Sequence, residues 1–249
     1  MVAKFIGVGI GPGDPDLITV KAVKVLKTVD VVAVPKTHVD AASLALSLVK
    51  QILDERAKPA EVLDLIFPMT KNKFEVKKLW AKNARVITEK VESGKTVAFI
   101  TLGDPLFYST FIYLFQTIRQ KHPHVPLEII PGVTSLTACA ARAQMPLAEK
   151  EEVVAIIPSD LDFKLIEETA GHADTLVFMK CAHHFKALVP ILEKAGFTEN
   201  ATVALVRRCG MPGEAVTVGR LADAQDWPIP EDYFSMAIVK RSELPIKQG

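Results

Sequence analysis

The chain has 249 residues, 49% hydrophobic and 24% charged. That excludes disorder and fibrous repeats and leaves room for two domains or one large α/β unit. Lys plus Arg number 30 against 29 Asp plus Glu, a net charge of +1, without the basic excess of a dedicated nucleic-acid binder. No apolar run reaches the roughly 18–20 residues that cross a bilayer. Residues 1–5 lead into a glycine-rich segment without the features of a signal peptide. The expected setting is cytoplasmic, with no nucleic-acid or membrane partner. Cys139, Cys181 and Cys209 are odd in number and widely spaced, so neither a zinc ribbon nor a redox pair is expected, and buried free thiols are.

The first half alternates apolar runs with amphipathic stretches. Strands are expected at 5–9, 31–34 (stopped by Pro35), 62–67 and 96–102, with helices at 15–28, 41–53, 72–92 and 105–121. Continuously apolar strands between helices indicate a mainly parallel sheet covered on both faces. His122-Pro123-His124-Val125-Pro126 holds two prolines in five residues and is the expected linker, dividing the chain into α/β domains at 1–122 and 127–249. In the second half, strands are expected at 127–130, 153–157, 175–179, 202–206, around Val216–Val218 and at 233–239, with helices after Pro131-Gly132, at 160–170 and at 184–195. The late strands have little helix between them, so this domain should hold a mixed, partly antiparallel sheet.

Gly7-Val8-Gly9-Ile10-Gly11-Pro12-Gly13-Asp14-Pro15 does not fit Gly-x-Gly-x-x-Gly: Asp14 and Pro12 stand where the third glycine belongs, and Pro12 lacks the N–H a phosphate cradle would use. A nucleotide-dependent oxidoreductase is disfavoured. A sharp turn remains, with Asp14 capping a helix that starts at Pro15, and with backbone able to approach a flat ligand. Gly103-Asp104-Pro105 repeats the pattern, and Thr101, Tyr108, Ser109 and Thr110 add a phenol and hydroxyls at the carboxyl end of a strand, where open α/β sheets place ligands.

Three blocks, Gly7 to Pro15, Thr101-Leu-Gly-Asp-Pro-Leu-Phe-Tyr-Ser109 and Ile130-Pro-Gly-Val-Thr-Ser135, resemble those of the tetrapyrrole methylase family. Arg208-Cys-Gly-Met-Pro-Gly213 and Tyr233-Phe-Ser-Met-Ala-Ile-Val-Lys240 extend the resemblance over nearly the whole chain. It implies two α/β domains with a cleft between them, a homodimer, and S-adenosylmethionine-dependent methylation of an anionic tetrapyrrole, with S-adenosylhomocysteine as product. The Thr101 and Arg208 blocks most resemble the branch that methylates C20 of cobalt-factor II or precorrin-2 in cobalamin biosynthesis. Leu102 and Arg208-Cys209-Gly210 depart from the uroporphyrinogen-methylating branch, which has a second glycine and an Asn/Arg-Gly-Thr turn there.

Carried over by motif, the cofactor contacts are Pro12, Leu102, Gly103, Asp104, Phe107, Thr134, Ser135, Met179, Cys209, Gly210, Met211, Ser235, Met236 and Ala237. A sulfonium methyl is already electrophilic, so the chemistry rests on holding an electron-rich meso carbon in line with it, and no nucleophilic triad is required. The C20 proton must then leave, and Asp104 and Tyr108 are the candidate bases. Lys36, Arg142, Lys180, Arg207 and Arg208 are the candidate partners of the substrate carboxylates. Adjacent His183 and His184 point to different faces of a helix, and no resident metal is expected; any cobalt arrives with the substrate. The alternatives are methylation at another position, such as C11 or C17, and a non-catalytic tetrapyrrole-binding protein.

Overall fold

The computed structural model describes residues 2–68, 70, 72–158 and 162–244. It comprises two compact units, residues 1–134 and 135–249. In the first unit, β1 (Phe5–Gly9), β2 (Val31–Lys36), β3 (Glu61–Ile66), β4 (Val97–Thr101) and β5 (Leu127–Ile130) form one sheet in the order β3-β2-β4-β1-β5. Every pairing is parallel. The helices are α1 (Val20–Leu26), α2 (Leu44–Asp54), α3 (Lys73–Glu92) and α4 (Phe111–Lys121).

The apolar strands are explained by burial on both faces. Phe5, Val31, Ala33, Val97 and Phe99 face one core with Ala84 and Ile87 of α3 and Phe111, Leu114 and Ile118 of α4. Ile6, Val8, Val32, Val34, Ala98 and Ile100 face a second core with Ala22 and Leu26 of α1 and Ala45 and Val49 of α2. Pro35 does not end β2. The pairing of β2 with β4 covers only Val31–Ala33, so a proline beyond it sits at the partly unpaired end of the strand.

The chain divides later than at 122–126. The prolines do break it after α4, but the strand that follows pairs with β1 from Phe5↔Leu127 to Val8↔Ile130. Without β5, β1 would present an unpaired apolar edge. Two helices also begin later than expected. Asp14 accepts from Asp16 N–H at 3.0 Å and caps only a short turn at Pro15–Leu17, whereas Thr19 caps α1 through Ala22 N–H at 3.2 Å. Residues 102–110 form an irregular excursion before α4.

The second unit contains α5 (Ser135–Arg142), β6 (Val154–Pro158), α6 (Phe163–Ala170), β7 (Thr175–Met179), α7 (Phe185–Lys194), β8 (Thr202–Arg207), β9 (Ala215–Arg220) and β10 (Ser235–Lys240). The helix expected over 160–170 is described from Phe163, with residues 160 and 161 outside the described set. Its sheet runs β6-β7-β10-β8-β9, with β6 and β7 parallel and β10 antiparallel to both neighbours. Ile157, Leu176, Phe178, Val203, Leu205, Ala237 and Val239 pack with Ile166 of α6 and Leu188, Val189 and Leu192 of α7. Pro190 lies inside α7 and cannot donate to the carbonyl four residues earlier. The Gln225 amide donates to that carbonyl, Lys186 O, at 3.0 Å.

Lys240 is 1% exposed and its ammonium is paired with Glu152. A buried lysine needs such a partner. The Lys240 ammonium and the Glu149 N–H hold the Glu152 carboxyl below its ordinary value of 4.5. The stabilisation is therefore complete above that value and lost as pH falls through the lower folded-state value. Glu152→Gln is expected to lower the urea midpoint at neutral pH and flatten the acid limb of stability against pH; an unchanged acid limb would refute the linkage.

At the first sheet, a Cβ on Gly132 would lie 2.1 Å from Gly103 O and 2.9 Å from the Gly9 Cα. Backbone on both sides leaves no flexible side chain to yield, so Gly132→Ala should cost about 3 kcal/mol, as severe overpacking does. Urea denaturation measures this, and a loss near zero would show that the strands can part.

Candidate functional site

In the first unit the candidate residues gather at the carboxyl ends of β1, β4 and β5. Ile10 N–H donates to Thr101 O at 3.0 Å and Gly103 N–H to Gly11 O at 2.8 Å, which crosses the two glycine-rich segments in a short antiparallel bridge. Gly103 takes φ +65°, and a Cβ there would meet nothing nearer than Thr134 Cα and Val133 O, both at 4.0 Å. The glycine thus leaves space beside exposed backbone where a flat ligand fits. Pro12 is buried, and Leu102, Phe107 and Thr134 are half-buried around this turn.

Asp104 does not cap α4. Its Oδ1 accepts from Leu106 N–H at 2.8 Å and its Oδ2 from Gly132 N–H at 3.0 Å. The carboxylate therefore ties the β4 turn to the segment after β5, a structural role the Asp-Pro pattern did not announce. Tyr108 differs. It has φ +50°, is 53% exposed and packs edge-on against Phe107 with ring centroids 5.0 Å apart. A bulky residue in this conformation stores strain, which collects at functional sites. The sequence marked Thr101 and Ser109 as site hydroxyls but not as a buried pair: they join their hydroxyls at 2.8 Å, and Ser109 Oγ accepts from Phe111 N–H at 3.1 Å. The signal was available, because two hydroxyl residues eight apart straddle one turn.

In the second unit the candidates lie at the carboxyl ends of β7 and β8 and the start of β10 between them. Met179 ends β7 and is half-buried. Ser235 holds the following turn by accepting Lys180 N–H at its carbonyl (2.7 Å) and Ala182 N–H at its hydroxyl (3.0 Å). Ser235, Met236 and Ala237 are 5%, 4% and 0% exposed, so they form a floor beneath the turns.

After β8, Arg208 N–H donates to Phe234 O at 2.8 Å, and the Glu214 carboxylate accepts from Gly210 N–H and faces Arg142 Nε at 3.4 Å. Glu214 thereby pins the Cys209–Met211 loop, which sequence reading missed. Cys139, Cys181 and Cys209 are free and buried. The hydrogen bond with Cys209, then burial, pushes the Cys139 thiol far up. Burial pushes the Cys181 thiol up to about 12. Buried thiols raised in this way, Cys139 and Cys181 belong to packing and not to nucleophilic chemistry.

The candidate basic residues sort by partner. Lys36 is paired with Asp64 at 2.7 Å, Arg142 with Glu214, and Arg208 with Asp232 at 2.8 Å. Lys180 and Arg207 have no carboxylate within ion-pair distance among the described residues. His124 and His183 pair with Glu92 and Glu231 at 2.8 and 3.1 Å.

Glycine-lined backbone at the carboxyl end of a parallel sheet, followed by an α/β unit whose strand-end turns are held by side chains, defines an α/β protein with open backbone where such sheets place ligands. Residues 4–225 match the family Tetrapyrrole (Corrin/Porphyrin) Methylases, and the chain belongs to that family. It is 37% identical over 97% of its length to a cobalt-precorrin-2 C(20)-methyltransferase from Salmonella typhimurium, covering 98% of that protein. It is 36% identical to a probable cobalt-precorrin-2 C(20)-methyltransferase from Methanocaldococcus jannaschii, at 97% of each chain. Among solved structures, a cobalt precorrin-4 methyltransferase superposes with a TM-score of 0.73 at 24% identity, over 95% of this chain and 94% of that one. A Thermus thermophilus uroporphyrin-III C-methyltransferase complexed with S-adenosylhomocysteine gives 0.69 at 22% identity, over 96% and 92%. These two share the fold.

Asp104→Asn keeps the acceptor facing Leu106 but places an amide N–H against the Gly132 N–H. It should cost about 1–3 kcal/mol, the penalty of an unmet buried donor. Amide exchange at Gly132 should quicken in parallel; an unchanged rate there would contradict the tie.

Proposed function

We propose that this chain is an S-adenosylmethionine-dependent C-methyltransferase that methylates C20 of cobalt-precorrin-2 in cobalamin biosynthesis. The observation that carries the reading is identity of 37% and 36%, spanning nearly both whole lengths, to two proteins of that name. Leu102 and the Arg208-Cys209-Gly210 turn, the departures from the uroporphyrinogen branch, add support. We place the enzyme in the cytoplasm as a homodimer; three free, buried thiols suit a reducing compartment.

The cofactor, when bound, supplies an electrophilic methyl group. Gly103, with its left-handed backbone and the open space at its Cβ position, fits a flat group lying along the turn. Pro12, Leu102, Gly103, Asp104, Phe107 and Thr134 of the first unit are assigned to it. Ser135, Met179, Cys209, Gly210, Met211 and the Ser235–Ala237 floor of the second unit are assigned likewise.

Asp104 serves by holding the turn, since both its oxygens are engaged by N–H donors. Tyr108 makes no hydrogen bond through its hydroxyl among the described residues and is exposed. It is an exposed side chain of this turn placed to relay the proton that leaves C20, its oxygen taking that proton as its own hydroxyl proton passes to solvent water. Rate enhancement comes mainly from orientation, with proton removal a smaller contribution.

Incubation with cobalt-precorrin-2 and methyl-labelled cofactor, followed by NMR of the product, tests the reading. Label at C20 is expected. Label at C11 or C17 would reassign the position, and macrocycle binding without transfer would favour a binding protein. Tyr108→Phe should lower kcat about tenfold or more, within the range for a general base, with KM for the macrocycle little changed.

A further inference from the structure

Three consecutive residues of the segment entering β10 each engage a basic side chain. Glu231 meets His183 Nδ1 at 3.1 Å, Asp232 meets Arg208 Nε at 2.8 Å, and the Tyr233 ring lies 4.4 Å beneath the Lys180 ammonium. Lys180 follows β7 and Arg208 follows β8, one on each side of β10. Both have left-handed backbone, φ +56° and +52°. In both, the backbone N–H reaches back to the start of β10, at Ser235 O and Phe234 O. Two long, branched-free cationic side chains in a conformation that favours glycine, mirrored across one strand, are a costly arrangement.

The two cations differ in what remains for them. Asp232 is 12% exposed. Burial acts to raise its pKa, but the Arg208 guanidinium and the Phe234 N–H outweigh it and hold the carboxyl below its ordinary value. Arg208 is thereby held in place, with Nε on Asp232 at 2.8 Å, Nη1 on Pro212 O at 3.3 Å and no bond from Nη2 among the described residues. Lys180 rests on an aromatic face, which orients an ammonium but leaves its N–H donors available. The acids of the segment are already occupied by His183 and Arg208.

We infer that Lys180, oriented by Tyr233 and flanked by Arg208, forms a carboxylate-binding site. The inference rests on the methyltransferase reading for its ligands. Lys180 adjoins Met179 and Arg208 adjoins Cys209, both assigned above to the cofactor. Two ligands of the proposed reaction carry carboxylates: the acid side chains of the macrocycle and the amino-acid tail of the cofactor.

The experiment compares wild type with Lys180→Gln and Lys180→Gly. Calorimetric titrations use S-adenosylhomocysteine and methylthioadenosine, which lacks the amino-acid tail, and steady-state kinetics use the macrocycle. A cofactor-tail site predicts about tenfold weaker S-adenosylhomocysteine binding in K180Q, the scale of one charged hydrogen bond, with methylthioadenosine unaffected. A macrocycle site predicts a comparable rise in macrocycle KM with both nucleosides unaffected and kcat retained. Either result supports the site. No change in any of the three, or equal weakening of both nucleosides, overturns it.

K180G removes the backbone strain and should melt at or above wild type; a lower Tm would assign Lys180 a structural role instead and overturn the inference. A fifth readout does not depend on the enzymatic reading: the NMR signal of the Lys180 side-chain ε-methylene, assigned by its loss in K180Q, should shift with glutarate more than with chloride at equal ionic strength. Its failure to do so counts against the site. A protein that binds neither nucleoside nor macrocycle, yet shows the glutarate shift, retains the site and loses the proposed function.

Discussion

Three backbone segments approach too closely at the carboxyl ends of β1, β4 and β5 for any side chain to stand between them. Gly9 and Gly132 each place a would-be Cβ within 3 Å of neighbouring backbone, with Gly103 O common to both. The candidate site of the first unit depends on this closeness. It lets the Gly11–Gly103 bridge form, brings Gly132 N–H onto the Asp104 carboxylate, and so fixes the excursion that carries Phe107 and Tyr108. A single carboxylate that links two strand ends replaces a helix cap because α4 begins only at Phe111.

The second unit reaches a similar result by different means. Its strand-end turns are not glycine-packed. They are held by hydrogen bonds to the entry of β10, through Ser235 on one side and Phe234 on the other, and by Glu214 bonding across its own loop. An antiparallel strand inserted between two parallel ones provides those carbonyls where parallel neighbours alone would not, since its amino end meets their carboxyl ends.

Much of the architecture was legible in the amino-acid order. Runs such as Val31-Val32-Ala33-Val34 are apolar on both sides because both sheet faces are covered, and helix spacing identified α3 to within a residue at its carboxyl end. The placement of β5 was not legible. Pro123 and Pro126 report a break in the chain, but which sheet the next strand joins depends on the unpaired edge of β1, a long-range fact with no local signature. The two Asp-Pro pairs misled in a related way. A proline after aspartate fits the first turn of a helix, yet the same geometry suits an isolated turn, and only the following residues decide between them. For the site, motif spacing located the right turns, while the roles within them came from tertiary contacts: the Asp104 tie, the Thr101–Ser109 pair and the Glu214 pin.

Backbone strain is the property that sequence conceals most fully, and here it separates positions that packing alone would treat alike. Tyr108, Lys180 and Arg208 share left-handed φ values near +50°. Lys180 and Arg208 directly follow the carboxyl ends of β7 and β8, where the chain must leave the sheet abruptly, and Tyr108 lies in the excursion between β4 and α4. A glycine at any of the three would be easier to accommodate, as Gly103 shows one turn away. Retaining a phenol, an ammonium and a guanidinium at such positions means that side-chain chemistry outweighs conformational comfort there. Lys36 and Arg142, equally basic, lie on ordinary backbone and are paired with carboxylates of their own unit. Charge alone nominated all of these cations; conformation and pairing together single out Lys180, whose ammonium is oriented by Tyr233 and has no carboxylate partner among the described residues.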